Sequence, residues 1–306
     1  MGLAILAAVV LVVRHASEGR AFVRLSRRAD PFWLLLAIAL QAATYPFQSQ
    51  VWRVVLRAAG TPLGMWASCQ LTLARLAVDQ SLPAAGLGGT LLLAKTLERR
   101  GVTWPVVMAS VVIDTASCYA AYALGLAAAL VIAVSQYHAP APVVVGAALF
   151  LFFALTITLG ALSLAGRDHG PFGRRIARMR LLGAGLRMLR QADVRLAQSS
   201  RLLAEATACQ LAVVLLDVGT IWVLIASLGV RASAAGVFTS FMMSTLLRMI
   251  GVFPGGLGVF EAASVFTLRM AGVDLSAALS ATLLFRGLSF WLPLAPGLWL
   301  ARRRLS

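Results

Sequence analysis

Seven ionisable side chains sit inside runs of apolar residues: Arg75, Asp79, Asp114, Asp217, Arg248, Glu261 and Arg286. A charge at the centre of a bilayer costs at least about 2.5 kcal/mol on insertion scales, so each needs a counter-charge or a wet cavity. Two of them bracket the stretch Arg248-Met-Ile-Gly-Val-Phe-Pro-Gly-Gly-Leu-Gly-Val-Phe-Glu261, where Pro254, Gly255, Gly256 and Gly258 interrupt an apolar segment. Arg75 and Asp79 precede a second interruption, Ser81-Leu-Pro-Ala-Ala-Gly-Leu-Gly-Gly89, with Pro83 and Gly88 in it. Proline removes a backbone donor and glycine frees the dihedrals, so each interruption ends one half-helix and begins another. Half-helix amino termini present N–H groups and a positive dipole end, and arginine adds bidentate phosphate recognition. Together these suit binding of a phosphate-bearing anion within a membrane. Asp114, Asp217 and Glu261 would hold a cationic group or carry protons; the residues alone do not choose. The structural alternative is that the same charges pair with one another and lock a helix bundle.

The elements that must position these groups are membrane helices. Of 306 residues, 60% are hydrophobic and 12% charged, and the mean hydropathy of +0.87 belongs to a multi-spanning membrane protein. Matched to the roughly 20 residues that cross about 30 Å of hydrocarbon, the candidate spans are 32–57, 105–135, 143–165, 207–228 and 276–301. Segments 66–93 and 237–270 are long and apolar but broken. A run at 2–13 lacks the basic start and cleavage site of a signal peptide and reads as a shortened first transmembrane helix. The expected fold is therefore all-α, a polytopic helical membrane protein with about seven to eight membrane segments. It forms a single transmembrane domain: half 1 at about 30–135, a linking span at 143–165, a basic cytoplasmic loop at 166–205 and half 2 at about 207–301.

The net charge of +16 is almost all arginine and falls mostly between the apolar runs, which points to orientation and anionic headgroups and away from nucleic acid. Arginine-rich segments at 95–100, 167–201 and the C-terminus are placed in the cytoplasm, and 136–142, which has none, outside. If 207–228 exits and 276–301 returns, 237–270 starts and ends outside as a re-entrant pair. In the first half, 66–93 either crosses once, keeping 14–28 inside, or is re-entrant, which puts 14–28 outside and makes the two halves inverted repeats, a recurrent transporter design. Within 166–205, Met179, Leu182, Leu186 and Leu189 recur at helical spacing among arginines, as in a helix resting on anionic lipid. Trp33, Trp52, Trp66, Trp104 and Trp291 fall near span ends, as in an aromatic belt. Cys69, Cys118 and Cys209 are far apart and the three histidines have no partner at ligand spacing, so neither a disulfide framework nor a metal site is expected, and no cofactor.

These residues resemble a known family. Trp52-Arg53 with Leu56 and Gly60, Leu82-Pro83 with Gly88-Gly89, Asp114, Phe253-Pro254-Gly-Gly-Leu-Gly258 with Glu261, and Arg286 are similar to the lysylphosphatidylglycerol synthase transmembrane family, over about residues 30–300. That family includes the flippase domain of the multiple peptide resistance factor. The resemblance implies a protein of the bacterial inner membrane that moves a lipid between leaflets, with Arg53, Pro83, Asp114, Pro254, Gly258, Glu261 and Arg286 as the carried-over positions. One departure is that Thr90 follows Gly89 where many members have an acidic residue, which implies a first half-site remodelled for another headgroup. The other is that the lysine-transferring soluble domain is not present in this chain, so lipid aminoacylation is not expected of it.

The leading expectation is a translocator of an anionic phospholipid or lipid-linked phosphate. The substrate-binding set is Arg53, Arg75, Asp79, Pro83, Gly88, Asp114, Asp217, Arg248, Pro254, Gly255, Gly256, Gly258, Glu261 and Arg286. The alternatives are an accessory or scaffold subunit of envelope synthesis, or a lipid-modifying enzyme, the latter disfavoured because no nucleophile or metal constellation is evident. Self-association and an envelope-synthesis partner are the protein contacts to be expected.

Overall fold

The computed structural model describes residues 30–81, 87–137, 145, 148, 151–153, 155, 156, 158–160, 191–250 and 258–305. Among them the chain is helical, without strands. Helix α1 is Pro31–Ala58, followed by the pair α2 (Met65–Ser81) and α3 (Leu87–Glu98), and then the long α4 (Trp104–Tyr137). After a short α5 (Val194–Ala197) the same order returns: α6 (Ser200–Ser227), the pair α7 (Ala234–Ile250) and α8 (Val259–Met270), and α9 (Leu275–Arg286). One π-helical turn, Gly287–Trp291, carries α9 into α10 (Leu292–Leu305). Trp104–Ser135, Ser200–Ser227 and Leu275–Arg302 are long and apolar enough to cross a membrane.

Local chemistry sets the helix ends. Asp30 accepts the Phe32 N–H at 2.9 Å, with Pro31 at the first helical position of α1. Ser199 caps α6 through the Leu202 N–H. Helices α1, α3, α6 and α8 all stop in the same way. Gly60, Gly101, Gly229 and Gly272 take positive φ, and the next residue's N–H reaches back over five residues: Thr61 to Leu56, Val102 to Leu97, Val230 to Ile225 and Val273 to Leu268. These are glycine-dependent Schellman closures, which satisfy carbonyls left open at a helix end.

The repetition extends to the packing. Along α1 and α6 the contacts run in opposite senses: the Asp30 N–H donates to the Ser227 carbonyl at 3.1 Å, Gln41 meets Asp217, and Val54 and Arg57 share a surface pocket with Arg201 and Glu205. The two central helices are thus antiparallel, and each opens one four-element unit, so the halves are inverted. Both broken pairs double back. Gly89 lies on Arg75 and Asp79, while Ser240 meets Thr267 at 2.6 Å and Phe241 meets Phe260. Polar hydroxyl pairs such as Ser240–Thr267 and Ser264–Thr282 (2.9 Å) join helices where lipid gives no hydrophobic drive.

Equivalent crossings join the halves: α2 against α10 and α7 against α4. A Cβ on Gly297 would fall 2.5 Å from the Leu73 carbonyl oxygen and Ala77 Cβ, whereas one on Gly125 would meet only the Met242 side-chain terminus at 2.9 Å. Backbone cannot yield as a thioether can. Gly297→Ala is therefore expected to cost about 1–3 kcal/mol, with Gly125→Ala well below it. Thermal midpoints of the two variants in detergent check the order.

Several expectations are corrected. Helix α6 begins at Ser200, ahead of the expected span at 207–228, because Ser199 supplies a cap and Arg201–Glu205 forms an i,i+4 pair. Trp52 is no belt residue: it is 1% exposed and packs in the cluster of Val55, Leu56 and Ile113. The run at 2–13, segment 14–28, most of 143–165 and the amphipathic stretch 178–190 lie outside the described residues.

Candidate functional site

Buried apolar side chains gather in two large clusters, with a small third of Ala74, Leu92 and Ala301. One is built on Val51–Leu56 of α1 with Ala197–Ala206, the other on Ala37 with Val214–Leu228 and α7–α9. Between them, at the middle of both central helices, lies a cavity of about 470 Å³. Its polar walls follow helical spacing: Gln41, Tyr45 and Gln48 on α1; Asp114, Cys118 and Tyr122 on α4; Gln210 and Asp217 on α6; Thr245 and Arg248 on α7. Arg75 and Asp79 enter from the end of α2 beside the first break, and Arg286, Ser289 and Phe290 from the π-helical junction. A π turn shifts side-chain phase by a residue, a device common at functional sites; here it stacks Phe290 on the Arg286 guanidinium, 4.8 Å from the ring centroid.

Three electrostatic groups share this space. In the first, Arg75 bonds Asp114 at 2.5 Å and lies 3.7 Å from Asp79. Gln210 also donates to Asp114 (3.3 Å), and Asp79 accepts the Gly89 N–H at 2.8 Å. Any Cβ on Gly89 would fall 2.5 Å from the Arg75 carbonyl oxygen and the Asp79 carboxylate, so glycine is what lets α3 bring its amino terminus this close. In the second, Arg286, 5% exposed, bonds Glu261 at 2.6 Å. Glu261, the third residue of α8, reaches back to the Gly258 N–H at 2.6 Å, half of a capping box. Gly258 has φ 86°, a conformation that favours glycine.

The third group is unpaired. Asp217 accepts one neutral bond, from Gln41 Nε2 at 3.2 Å, and among the described residues it forms no ion pair. Arg248 forms none either: it lies 6.0 Å from the Phe260 centroid and within hydrogen-bonding reach of Tyr122. Among the described residues Gln41 Oε1 and Thr245 Oγ1 have no hydrogen-bond partner, and Gln41 and Thr245 are 6% and 1% exposed. Buried polar atoms left open in a cavity wall mark a place for a polar occupant.

Of the sequence-derived residues, the structure brings Arg75, Asp79, Asp114, Asp217, Arg248 and Arg286 to one cavity, with Glu261 behind Arg286 and Gly88 beside Gly89 on α3. Arg53 is elsewhere: it donates to the Leu63 carbonyl (2.9 Å) and to Gln50 (2.6 Å) and braces the α1–α2 connection. Pro83, Pro254, Gly255 and Gly256 lie outside the described residues. Opposite charges at Arg248 and Glu261 do not grip each other, because Glu261 is taken by Arg286. Nor are the two half-helix amino termini open to a phosphate at Gly89 and Gly258, whose N–H groups already hold the chain's own carboxylates. Gln41, Thr44, Tyr45, Gln48 and Gln210 were not among the expected residues; their signal was polar side chains recurring every three to seven positions in apolar helices.

Comparison with known proteins accords with this architecture. Over 97% of its length the chain is 23% identical to a UPF0104 membrane protein of Methanothermobacter thermautotrophicus, covering 91% of that protein. Over 37% of its length it is 32% identical to a UPF0104 membrane protein of Pyrococcus horikoshii, covering 34% of that protein. Residues 1–297 match the family described as lysylphosphatidylglycerol synthase TM region, and the chain belongs to that family.

Proposed function

We propose that this membrane protein is a lipid translocator that carries the headgroup of an anionic phospholipid or lipid-linked phosphate through the cavity while the acyl chains stay in the bilayer. The observation that carries this reading is Arg248, an arginine without an ion pair among the described residues, facing a cavity at mid-length of both central helices. A guanidinium without a carboxylate partner among the described residues can in that setting take a phosphate in bidentate fashion, and 470 Å³ lies within the roughly 300–1,000 Å³ of small-molecule sites. Family membership supports a lipid-related role. We place the protein in the plasma membrane, bacterial by the resemblance, with its basic C-terminus cytoplasmic.

Reconstituted into liposomes, the protein is expected to expose fluorescent phosphatidylglycerol to a membrane-impermeant quencher faster than empty liposomes do. No acceleration with any of phosphatidylglycerol, phosphatidylethanolamine, cardiolipin or a polyprenyl phosphate would overturn the reading. A second reading, an accessory subunit with purely structural charges, draws on the self-satisfied Arg75–Asp114 and Arg286–Glu261 pairs. It requires every charge variant that folds to leave lipid distribution unchanged.

A further inference from the structure

We infer that Asp217 is a proton-binding site that governs whether Arg248 is free to hold a phosphate; the inference rests on the translocator reading and names its coupling ion. Arg75, Arg248 and Arg286 stand against Asp79, Asp114, Asp217 and Glu261, so with every group ionised the carboxylates exceed the arginines by one. An entering phosphate deepens that excess in a setting that tolerates uncompensated charge poorly. One proton taken up at the site offsets it.

Geometry identifies the acceptor. Asp79 has Arg75 and the Gly89 N–H, Asp114 has Arg75 and Gln210, and Glu261 has Arg286 and the Gly258 N–H. Among the described residues Asp217 has the Gln41 amide alone. That amide serves both protonation states: its NH₂ donates to the carboxylate, and after an amide rotation its unpartnered Oε1 accepts the O–H of the acid. The titratable or charged groups lining the cavity from elements packed on α6 are Tyr45 of α1, Asp114, Cys118, Tyr119 and Tyr122 of α4, Arg248 of α7 and Arg286 of α9. Arg248 is the cation among them with no carboxylate in contact among the described residues.

The cycle balances simply. Protonated Asp217 is neutral and leaves Arg248 to the phosphate; the proton is delivered by hydronium from the solvent, which leaves as water. Loss of that proton to water restores a carboxylate, which competes for Arg248 and expels the headgroup.

The test is binding of dihexanoyl phosphatidylglycerol to the detergent-solubilised protein between about pH 5 and pH 8, with translocation followed in parallel. The dissociation constant of the wild type is expected to rise with pH, approaching the tenfold per unit set by one linked proton. Asp217→Asn is expected to bind within a few-fold of the low-pH wild type at every pH, and Arg248→Ala weakly throughout. Wild-type binding that needs Arg248 yet is flat in pH, or pH dependence that persists in Asp217→Asn, overturns the proton switch and leaves translocation standing. Absence of both binding and translocation at every pH overturns the translocator reading instead. The wild-type pH profile needs no variant, so misfolding of Asp217→Asn does not shelter the proposal.

Discussion

Arg286→Ala is expected to be the most destabilising single change in the site, costing about 3–5 kcal/mol. The Arg286 and Glu261 side chains are 7% and 13% exposed and share a 2.6 Å bond, so removing the cation strands a carboxylate whose other bond is the Gly258 N–H. The change also removes the cation stacked on Phe260 and Phe290, and with it the filling of the π-helical junction. The double variant Arg286→Met with Glu261→Leu is expected to recover much of the loss, because a buried pair contributes little beyond the cost of breaking it. Thermal or denaturant unfolding in detergent, run as a double-mutant cycle, measures the coupling. A small, additive effect would mean that water reaches both charges.

Arg248→Ala should do the reverse, leaving the fold close to wild type and abolishing most of the function. Its guanidinium forms no ion pair among the described residues, so while Asp217 is protonated no carboxylate is stranded by its loss. Charge-assisted hydrogen bonds contribute about 1.5–3 kcal/mol each, so losing one from a bound phosphate slows translocation about 10- to 100-fold. Arg248→Lys keeps the charge without the bidentate fork and is expected to fall between. Liposome translocation rates beside thermal midpoints distinguish the two roles. A large stability loss with an unchanged rate per folded molecule would make Arg248 structural.

These expectations draw on different depths of the sequence. The broken pairs were legible because proline and glycine act locally, and the helices observed at 31–58, 104–137 and 275–305 follow apolar runs of bilayer length. The charged residues of the cavity were legible too, since an ionisable group in an apolar run is costly wherever it lies. Partnership was not. That Glu261 meets Arg286 rather than Arg248, and that Asp114 meets Arg75 rather than standing free, depends on helix rotation and on where α4 and α9 cross the broken pairs. Arg53 misled because a residue that braces a turn and one that binds a ligand look alike without contacts. Gln41 and Gln210 escaped because a lone glutamine in a hydrophobic helix carries little cost to flag it, although the pair occupies matching places on the two antiparallel central helices.

The two bonds of Glu261 also order events during synthesis. Gly258 is three residues away and available as soon as α8 coils, whereas Arg286 lies 25 residues downstream. The nascent chain therefore commits an acid to the membrane before its counter-charge has been made, with only a backbone amide to hold it. A chain ending after Met270 would hold that acid without its Arg286 partner, and α9 is the element that supplies it.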